Sequence, residues 1–596
     1  MSDAGLDSKF AREAWLRALA RTAHIEDDPH CTLPVLIDRL AGEFGASLAL
    51  VSREETLSFR ELAAHAHRYA RWGFAQGLKA GDKVALLVPN RAGYVAAWLG
   101  LTRIGVTVAL INTQLSGESL AHCIQIAEPR LIVVGAELAS ALAPLRSRFS
   151  RADLWVMGES SQDFAPLEPA LAQFSGDALG SGEFDAPSLD ATALYIYTSG
   201  TTGLPKAAKV THYRVMRWSQ WFAGLLDTTP KDRLYNCLPL YHSVGGVVAV
   251  GAALVGGAAV VIRPRFSASD FWRDVTEERC TLFQYIGELC RYLVNMPHQP
   301  HETGHSLRMA CGNGLRREVW EAFQARFRIP RILEYYASTE GNFSLYNCEG
   351  RPGSIGRIPS YLAHRLPVAL VRLDVDAGEP VRNAAGFCER CDTGEVGEAV
   401  GWIPEQANAR AGRFEGYADA DATARKVLRD VFKTGDAWYR TGDLMRRDAD
   451  GFFYFVDRIG ETYRWKGENV STEEVLGTLA GAPGVVEGVV FGVSVPHTDG
   501  RAGMAALVVG PAFDPHAFRA WVHERLPPYA RPIFLRLIPA LESTGTFKPR
   551  KQDLQREAFD PAQVRDPLYF DDSRAGAYVP LDEVSHQEIA AGRIRL

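Results

Sequence analysis

The stretch Tyr195–Lys209, YIYTSGTTGLPKAAK, brings together two glycines, four serine or threonine hydroxyls and two lysines. An apolar run, Ala193–Tyr197, comes directly before the first of these hydroxyls and predicts a strand that ends in a loop. Glycines let a backbone approach a ligand closely, hydroxyls add hydrogen-bond donors, and Lys206 adds a compact cation. This combination suits a phosphate group, although composition alone also fits an ordinary flexible loop.

The loop does not match the best-known phosphate-binding patterns. Pro205 stands where the Walker A loop has a glycine before its lysine, and Ala207 stands where that loop has the Ser or Thr that binds Mg²⁺. Three further stretches carry glycines, aromatic rings or carboxylates that a nucleotide could use: GNGLRREVW at 312–320, EYYASTEGN at 334–342 and YRTGDL at 439–444. Together with the loop, they predict a nucleotide-binding site.

These stretches have to be positioned by a fold in which helices and strands alternate. Helical stretches such as Phe59–Gln76 alternate with short β-branched runs such as Lys83–Val88, which predicts an α/β fold with mainly parallel sheets flanked by helices. After residue 467 the pattern changes to a helix from Thr472, a strand pair around Val485–Val495 and Met504–Val509, and a helix from Pro515 to Leu526. The sequence therefore predicts a large N-terminal domain, residues 1–456, and a small α+β C-terminal domain, residues 457–596.

Composition narrows the class of protein. The chain has 596 residues, of which 47% are hydrophobic, and a formal net charge of −6, which excludes a globally basic surface for nucleic acid. Nine scattered cysteines indicate reduced, buried thiols in a cytoplasmic protein. We expect no metal at the CERC motif, 388–391, because no second cysteine pair lies nearby, nor at the histidines near residue 300, because they lie in a loop with Pro and Gly.

Two segments raise the question of a membrane. Val244–Ile262 is 19 residues without a charge, long enough to span a bilayer, but the pair Gly256–Gly257 favours a buried helix, a turn and a buried strand. Arginines and apolar residues between Phe10 and Arg21 fit a short amphipathic helix that lies either on a membrane or on the protein itself. Because the N-terminus has no signal-peptide pattern, we expect a cytoplasmic protein. Peripheral contact with the inner face of the membrane stays open.

The motif set resembles the adenylate-forming superfamily, which includes acyl-CoA synthetases, luciferases and peptide-synthetase adenylation domains. A narrower resemblance, to the fatty-acid transport protein/very-long-chain acyl-CoA synthetase family, runs from about Leu50 nearly to the end of the chain. It is carried by ALINTQLSGESLAHCI at 109–124, YIGELCRYLVNMP at 285–297, GNGLR at 312–316, YYASTEGN at 335–342, DRIGETYRWKGENVSTEEV at 457–475 and TGTFKPRKQDL at 544–554.

The resemblance implies that a carboxylic acid reacts with ATP to give an acyl-adenylate and pyrophosphate, after which the CoA thiol takes the acyl group and AMP leaves. ATP, Mg²⁺ and coenzyme A are thus the implied cofactors and co-substrates. The metal is assigned to Thr198 and Glu340, whose oxygens suit magnesium, and the α-phosphate to Thr339. The β- and γ-phosphates are assigned to Ser199, Gly200, Thr201, Thr202, Gly203 and Lys206.

The same resemblance supplies the nucleoside contacts. Adenine is expected between the ring of Tyr336 and the backbone of the segment Gly312, Asn313 and Gly314. Asp443 matches the carboxylate that accepts both ribose hydroxyls, and Arg458 matches the cation beside the same sugar.

The acid and the CoA are assigned by resemblance as well. His242 matches the residue that lines the approach to the carboxylate of the acid. Some long-chain relatives have a tryptophan gate four residues after this histidine, and the residue here, Gly246, implies open space instead. Lys466 and Gly467 are expected near the CoA arm.

The catalytic lysine is assigned to Lys548 of the C-terminal domain. Relatives usually carry this lysine directly after a glycine, whereas two residues intervene here in TGTFK. Leu554 favours Lys548 over Lys551, because a leucine commonly follows the family lysine by six residues. An ammonium group between the incoming carboxylate and the α-phosphate stabilises both anions. The C-terminal domain is expected to be mobile, with Gly460 as its hinge, because glycine absorbs large changes of φ and ψ.

Three functions stay open at this point. The first is a fatty acyl-CoA synthetase for long- or very-long-chain acids. The second is a CoA ligase for another acid, such as a steroid side chain or an aromatic carboxylate, or an enzyme that stops at the adenylate. The third is a fatty-acid carrier without catalysis, which the phosphate-binding loop and Lys548 disfavour. The expected partners are the fatty acid, ATP and CoA, and a homodimer is left open.

Overall fold

The structure is a computed structural model, and it describes residues 8–159, 163–180, 182–198, 205–374, 377–405, 410, 412–465, 468–498, 500–542, 551–594 and 596. The chain divides into two compact units. The first comprises Met1–Leu362 with Ile403–Val427, and the second comprises Ala363–Trp402 with Leu428–Leu596. The predicted domain boundary between residues 456 and 457 stays a prediction.

Helices and strands alternate along the first unit, as the sequence predicts. Its strands are β1 (Leu48–Val51), β2 (Thr56–Ser58), β3 (Lys83–Leu87), β4 (Thr107–Leu110), β5 (Leu131–Gly135), β6 (Asp153–Met157), β7 (Ala165–Pro166), β8 (Thr192–Thr198), β9 (Lys206–Thr211), β10 (Arg233–Asn236), β11 (Ala259–Ile262), β12 (Leu282–Ile286), β13 (Met309–Asn313), β14 (Ile332–Ala337) and β15 (Ser344–Asn347). Its helices are α1 (Ser8–Thr22), α2 (Leu33–Phe44), α3 (Phe59–Ala75), α4 (Ala92–Arg103), α5 (Gly117–Ala127), α6 (Ala139–Leu142), α7 (Leu167–Leu171), α8 (His212–Leu226), α9 (Val250–Leu254), α10 (Phe271–Glu277), α11 (Gly287–Asn295), α12 (Arg317–Phe327) and α13 (Ala420–Ala424), with a π-helix at Ser243–Ala249.

The two sheets of the first unit are mainly parallel. The seven-stranded sheet has the order β7-β6-β5-β3-β4-β8-β9, in which the edge pair β8·β9 runs antiparallel. The eight-stranded sheet has the order β15-β14-β13-β12-β10-β11-β1-β2, with antiparallel pairs at its two edges. Strands covered on both faces are apolar throughout, and β5 and β11 are buried at every residue. The predicted α/β class is confirmed.

The N-terminal amphipathic helix is docked on the protein itself. Residues on one face of α1 are buried, among them Trp15, whose ring meets Trp221 and Tyr346 edge to face at centroid distances of 5.7 and 5.5 Å. The Arg17 Nε donates to the carbonyl of Gly224 at 3.0 Å. Of the two alternatives for this helix, the structure shows the docked one, with Leu16 left 50% exposed, and contact with a membrane stays a prediction.

The uncharged segment Val244–Ile262 folds as a buried helix, a turn and a strand. The π-helix runs into α9, Gly256 and Gly257 form the turn, and β11 follows in the interior of the eight-stranded sheet. Within the described residues, no helix has the length and apolar character needed to cross a bilayer. The sequence-based preference for a buried helix, turn and strand is confirmed.

The second unit contains the remaining sheets. Its strands are β16 (Val368–Val371), β17 (Leu373–Asp374), β18 (Glu379–Pro380), β19 (Val396–Ile403), β20 (Val427–Arg429), β21 (Ala437–Arg447), β22 (Phe453–Arg458), β23 (Tyr463–Trp465), β24 (Glu468–Val470), β25 (Val485–Ser494), β26 (Arg501–Val509), β27 (Phe534–Leu537), β28 (Leu568–Asp572) and β29 (Ala577–Pro580). Its helices are α14 (Thr472–Ala480), α15 (Pro515–Arg525), α16 (Gln552–Glu557) and α17 (Glu583–Ala590).

Two five-stranded sheets organise this unit. One joins β16, β19, β21 and β20 with β22 paired on β21, and the other has the order β25-β26-β27-β28-β29. In the second sheet β25 pairs antiparallel with β26, which confirms the predicted strand pair. The predicted helices beginning at Thr472 and Pro515 are α14 and α15, and each starts with a side-chain cap, from Ser471 and Asp514 respectively.

Candidate active site

The stretch that is predicted to bind phosphate includes the end of β8 and the start of β9, at the edge of the seven-stranded sheet. β8 and β9 run antiparallel, and Thr198, the last residue of β8, pairs with Lys206, the first of β9. The residues between them, Ser199, Gly200, Thr201, Thr202, Gly203 and Leu204, lie outside the described part of the chain. The predicted strand before the motif is confirmed as β8, and the predicted loop falls on the residues that are not described.

An extended segment around Tyr417 pairs with the free edge of β9. The N–H of Lys209 donates to the carbonyl of Gly416 at 3.0 Å, and the N–H of Ala418 donates to the carbonyl of Ala207 at 2.8 Å. These two bonds fix the backbone on both sides of Tyr417, which therefore has a set position beside the hairpin.

The Tyr417 side chain connects three of the predicted site residues. Its hydroxyl donates to the Glu340 Oε1 at 2.8 Å and also shares a hydrogen bond with the Thr198 hydroxyl. The Lys206 Nζ lies 5.8 Å from the centroid of the Tyr417 ring, within cation–π range. The structure thus brings Thr198, Lys206 and Glu340 together around one phenol.

The protonation state of this phenol is set by its surroundings. Burial, followed by the neighbouring Glu340 carboxylate, raises the pKa of Tyr417 well above its usual value. The hydroxyl is therefore a proton donor throughout the neutral pH range. As Tyr417 and Glu340 are 4% and 8% exposed, the carboxylate has a fixed partner at one oxygen.

The residues that follow β14 are anchored to α8 and to the π-helix. The hydroxyls of Thr339 and Ser243 share a hydrogen bond of 3.0 Å. The buried guanidinium of Arg214 donates to the main-chain carbonyls of Glu340 and Gly341. Thr339 and Glu340 are therefore held by contacts to elements more than ninety residues away in the chain.

The predicted adenine contacts lie at the carboxyl ends of β13 and β14. Gly312 and Asn313 close β13, and Gly314 continues with φ +77°, a conformation that favours glycine. Tyr336 is half-buried near the end of β14, and its ring centroid lies 5.9 Å from that of Phe343. Ligands of open parallel sheets bind outside the carboxyl ends of the strands, so these positions suit a nucleotide.

The acid side of the predicted site is formed by the π-helix. His242 is its N-terminal cap residue, and short π-helical turns occur often at functional sites. A cavity of about 30 Å³ lies beside it. It is lined by Trp218, Phe222, Ser243, Val244, Val248, Tyr335, Ala337, Ser338 and Ser344, a mostly apolar set with hydroxyls at its edge.

The expectation of open space at Gly246 is wrong. A Cβ atom added to Gly246 would lie 1.8 Å from the carbonyl oxygen of Leu240, because the π-helix packs directly against that backbone. The N–H of Leu240 is itself held by the buried Asn90 Oδ1 at 2.9 Å. The glycine permits close packing of main chain on main chain and leaves no room for a side chain.

Gly246→Ala should therefore destabilise the protein, by about 2 kcal/mol as typical of overpacking against a backbone that is held in place. Gly42→Ala in α2 is the matched control: a Cβ there meets nothing within 4 Å, so alanine should be neutral or stabilise by up to about 1 kcal/mol. Urea unfolding followed by tryptophan fluorescence measures both. Equal stability of the two variants would contradict the packing described for Gly246.

In the second unit the predicted ribose contacts face each other. Asp443 on β21 pairs in register with Arg458 on β22, and the Arg458 Nε lies 3.5 Å from the Asp443 Oδ1. Gly460 follows with φ +90°, and a Cβ there would meet nothing within 4 Å. The left-handed backbone explains why glycine stands at this position; its role as a hinge stays a prediction.

Three predicted residues of this unit, Lys466, Gly467 and Lys548, lie outside the described residues. Lys551, the alternative to Lys548, lies in the described part of the chain. Its Nζ forms an ion pair with the Glu461 Oε2 at 2.7 Å, and its side chain is 15% exposed. The assignment of the catalytic role to Lys548 stays a prediction.

The protein oxygens at this position of the first unit could hold a magnesium ion only together with oxygens from a bound ligand. Glu340 and Thr198 supply a buried carboxylate and a hydroxyl that both reach one phenol oxygen. Among the described residues, no group of three or more His, Cys, Asp or Glu side chains could hold a metal alone. Mg²⁺ commonly uses one or two protein oxygens together with substrate phosphates, which matches this arrangement.

Several residues of the site were missed from the sequence. Tyr417 and Arg214 belong to no motif that resembles a nucleotide site, and each reaches Glu340 or its neighbour across the fold. Ser243 directly follows His242, so its proximity to the predicted acid approach was the one available signal. The cysteines gave no signal for these site residues, because all nine are free and seven of them are buried.

Comparison with known proteins identifies the family. Residues 37–398 match the AMP-binding enzyme family, and residues 474–548 match the AMP-binding enzyme C-terminal domain. The chain is 41% identical to long-chain fatty acid transport protein 1 of Mus musculus over 95% of this chain and 88% of that protein. It is 38% identical to the medium/long-chain-fatty-acid–CoA ligase FadD6 of Mycobacterium tuberculosis, over 93% and 90% of the two chains.

Solved structures share the fold. An anthranilate CoA ligase, AuaEII, in complex with anthranoyl-AMP matches with a TM-score of 0.76 and 20% identity, over 89% of this chain and 97% of that one. ATP-bound MatB from Rhodopseudomonas palustris matches with a TM-score of 0.73 and 22% identity, over 88% and 98%. With the motifs and the site geometry, these findings lead to one conclusion: the chain belongs to the AMP-binding enzyme family, in its fatty-acid transport protein/very-long-chain acyl-CoA synthetase group.

Proposed function

We propose that this protein is a long- or very-long-chain fatty acyl-CoA synthetase, which forms an acyl-adenylate from a fatty acid and ATP and then transfers the acyl group to CoA. The observation that carries the proposal is the convergence of Thr198, Lys206 and Glu340 on Tyr417 at the base of the hairpin loop. A carrier that does no chemistry has no need of such a group of charged and hydroxylated residues.

In the first half-reaction a carboxylate oxygen of the acid attacks the α-phosphorus of ATP. A new O–P bond forms while the bond from the α-phosphorus to the bridging oxygen breaks, and pyrophosphate leaves. Two anions must approach each other, so the barrier falls most where fixed donors and cations face the developing charge. Lys206 and the loop Ser199–Gly203 would hold the β- and γ-phosphates, Thr339 the α-phosphate, and Lys548 the reacting oxygens.

Magnesium, when bound with ATP, would neutralise phosphate charge beside Glu340 and Thr198. The role of the chain at that point is to keep the carboxylate of Glu340 in place. Tyr417 does so by donating to one oxygen, and Arg214 by holding the main chain of Glu340.

In the second half-reaction the thiol of CoA releases its proton to solvent and its sulfur attacks the acyl carbon, so that a C–S bond forms and AMP leaves with the electrons of the C–O bond. We assign the approach of CoA to Lys466 and Gly467. Asp443 and Arg458 would hold the ribose of the nucleotide, and Tyr336 with Gly312–Gly314 would hold its adenine. Lys548 must withdraw before the thiol arrives, and Gly460 is the proposed hinge for that movement.

A fatty acid is the favoured substrate because a long-chain fatty acid transport protein and a fatty-acid–CoA ligase are among the relatives, at 41% and 38% identity. Since long-chain acids partition into bilayers, we propose that the enzyme works in the cytoplasm at the inner face of the membrane.

The deciding experiment measures thioester formation by the purified protein with ATP, Mg²⁺, CoA and acids of graded length and shape. We expect AMP and pyrophosphate in equal amounts, and the highest kcat/KM for long, unbranched acids. A preference for aromatic or steroid side-chain acids would show that fatty acids are not the substrate class. Tight fatty-acid binding without any release of pyrophosphate would overturn the enzymatic proposal in favour of a carrier.

A further inference from the structure

Three residues stand side by side on adjacent parallel strands below the predicted adenine site. Tyr285 on β12 pairs in register with Gly312 on β13, and Gly312 pairs with Glu334 on β14. Residues in register on neighbouring strands project from the same face of a sheet. The side chains of Tyr285 and Glu334 therefore flank a residue that has no side chain.

Gly312 makes this arrangement possible. A Cβ at Gly312 would lie 2.2 Å from the carbonyl oxygen of Tyr285 and 2.4 Å from its ring. The Tyr285 ring therefore crosses over Gly312, and its hydroxyl donates to the Glu334 Oε2 at 2.5 Å. Any other residue at position 312 would block this crossing.

The second oxygen of Glu334 holds the loop that follows β13. The N–H of Leu315 donates to the Glu334 Oε1 at 3.0 Å, and the N–H of Gly314 also hydrogen-bonds the carboxyl group. The loop is closed from the other side by Gly287, where a Cβ would lie 1.9 Å from the Gly314 carbonyl oxygen. The backbone after Gly312 is thus held between the Glu334 carboxyl group and the first residue of α11.

We propose that Glu334 is a positioning residue for ATP: it fixes the backbone of Gly312–Leu315 in the shape that receives the adenine ring, and Tyr285 orients it across Gly312. The inference rests on the proposed function and deepens it. Glu334 begins the stretch that ends in the predicted site residues, and its side chain bonds to the loop and to Tyr285.

Energetics support a dedicated role. Glu334 is 2% exposed, and burying a carboxyl group is unfavourable unless it is fully hydrogen-bonded. Burial raises its pKa to about 8, while the hydrogen bonds from Tyr285, Leu315 and Gly314 act in the opposite direction. The titratable groups that face it are Tyr285, Cys290 of α11, Cys311 of β13 and Tyr335 of β14. A group this costly is retained more readily where it shapes a binding site than where it only fills a core.

Glu334→Ala, which removes both acceptor oxygens, tests the proposal, with Glu334→Gln and Tyr285→Phe as milder variants. We expect the Kd for Mg–ATP, measured calorimetrically without acid, and the KM for ATP to rise roughly tenfold or more in Glu334→Ala and severalfold in the other two. The KM for the fatty acid should stay within about twofold, because the acid is held elsewhere. A purely structural residue would lower the amount of folded protein without separating the two KM values.

Glu302→Gln is the matched control. Glu302 is also buried in the first unit, at 7% exposed, and its carboxylate bonds to Arg326 at 2.8 Å and to the N–H of Gln299 instead of to the loop. Glu302→Gln should lower the free energy of unfolding and leave the KM for ATP and the KM for the fatty acid unchanged. Unchanged ATP affinity in folded Glu334→Ala and in Tyr285→Phe would overturn the inference, as would an equal rise of both KM values. Failure of the unmodified protein to bind Mg–ATP would instead reject the proposed function.

Discussion

Lys548→Ala is expected to slow acid-dependent pyrophosphate release about 100- to 1,000-fold, the usual loss when one preorganised charge is taken from a developing anion. The physical reason is that the ammonium group would lie between two anions that must come within bonding distance. Thioester formation from chemically prepared acyl-adenylate should stay near the unmodified rate, because the first half-reaction is then bypassed.

Both half-reactions can be measured on the same preparation, pyrophosphate by a coupled assay and thioester by chromatography. Lys551→Ala is the matched control: its ammonium group is three residues along the chain and is paired with Glu461 at 2.7 Å, so adenylation should fall by less than about tenfold. Equal losses in the two half-reactions of Lys548→Ala would remove its assigned role. Loss of adenylation in Lys551→Ala with normal adenylation in Lys548→Ala would transfer the role to Lys551.

Glu340→Gln should reduce ATP-dependent adenylation by about 100-fold or more, since a buried carboxylate that we propose to hold the nucleotide's metal is replaced by a neutral amide. Raising the Mg²⁺ concentration should recover part of the activity. Tyr417→Phe keeps the ring beside Lys206 but removes the hydroxyl bonded to Glu340, and the expected loss is about tenfold, the value of one hydrogen bond to a charged group.

The measurement is the initial rate of pyrophosphate release at several Mg²⁺ concentrations. Glu349→Gln serves as control, because Glu349 is also buried in the first unit but is paired with Arg357 at 2.7 Å outside the site. It should retain the Mg²⁺ dependence of the unmodified protein. The assignment of the metal to Glu340 fails if Glu340→Gln and Glu349→Gln respond to Mg²⁺ in the same way.

The sequence alone determined the fold class and the positions of the elements that carry the motifs. The apolar run after Gly257 predicts the buried strand β11, and the glycine pair at 256–257 predicts a turn within an uncharged segment. These predictions succeed because the signals are local. Hydrophobic periodicity and turn-forming glycine and proline residues act over a few neighbouring residues.

Tertiary structure alone decided which side chains support the site residues. The bond from Tyr417 to Glu340 joins residues 77 positions apart, and that from Tyr285 to Glu334 joins residues 49 positions apart. It also decided that Gly246 serves close packing and not an open channel. Such contacts depend on strand order and register, which bring together residues that are distant in the chain. The sequence around one of these residues has no periodic or local pattern that identifies its partner.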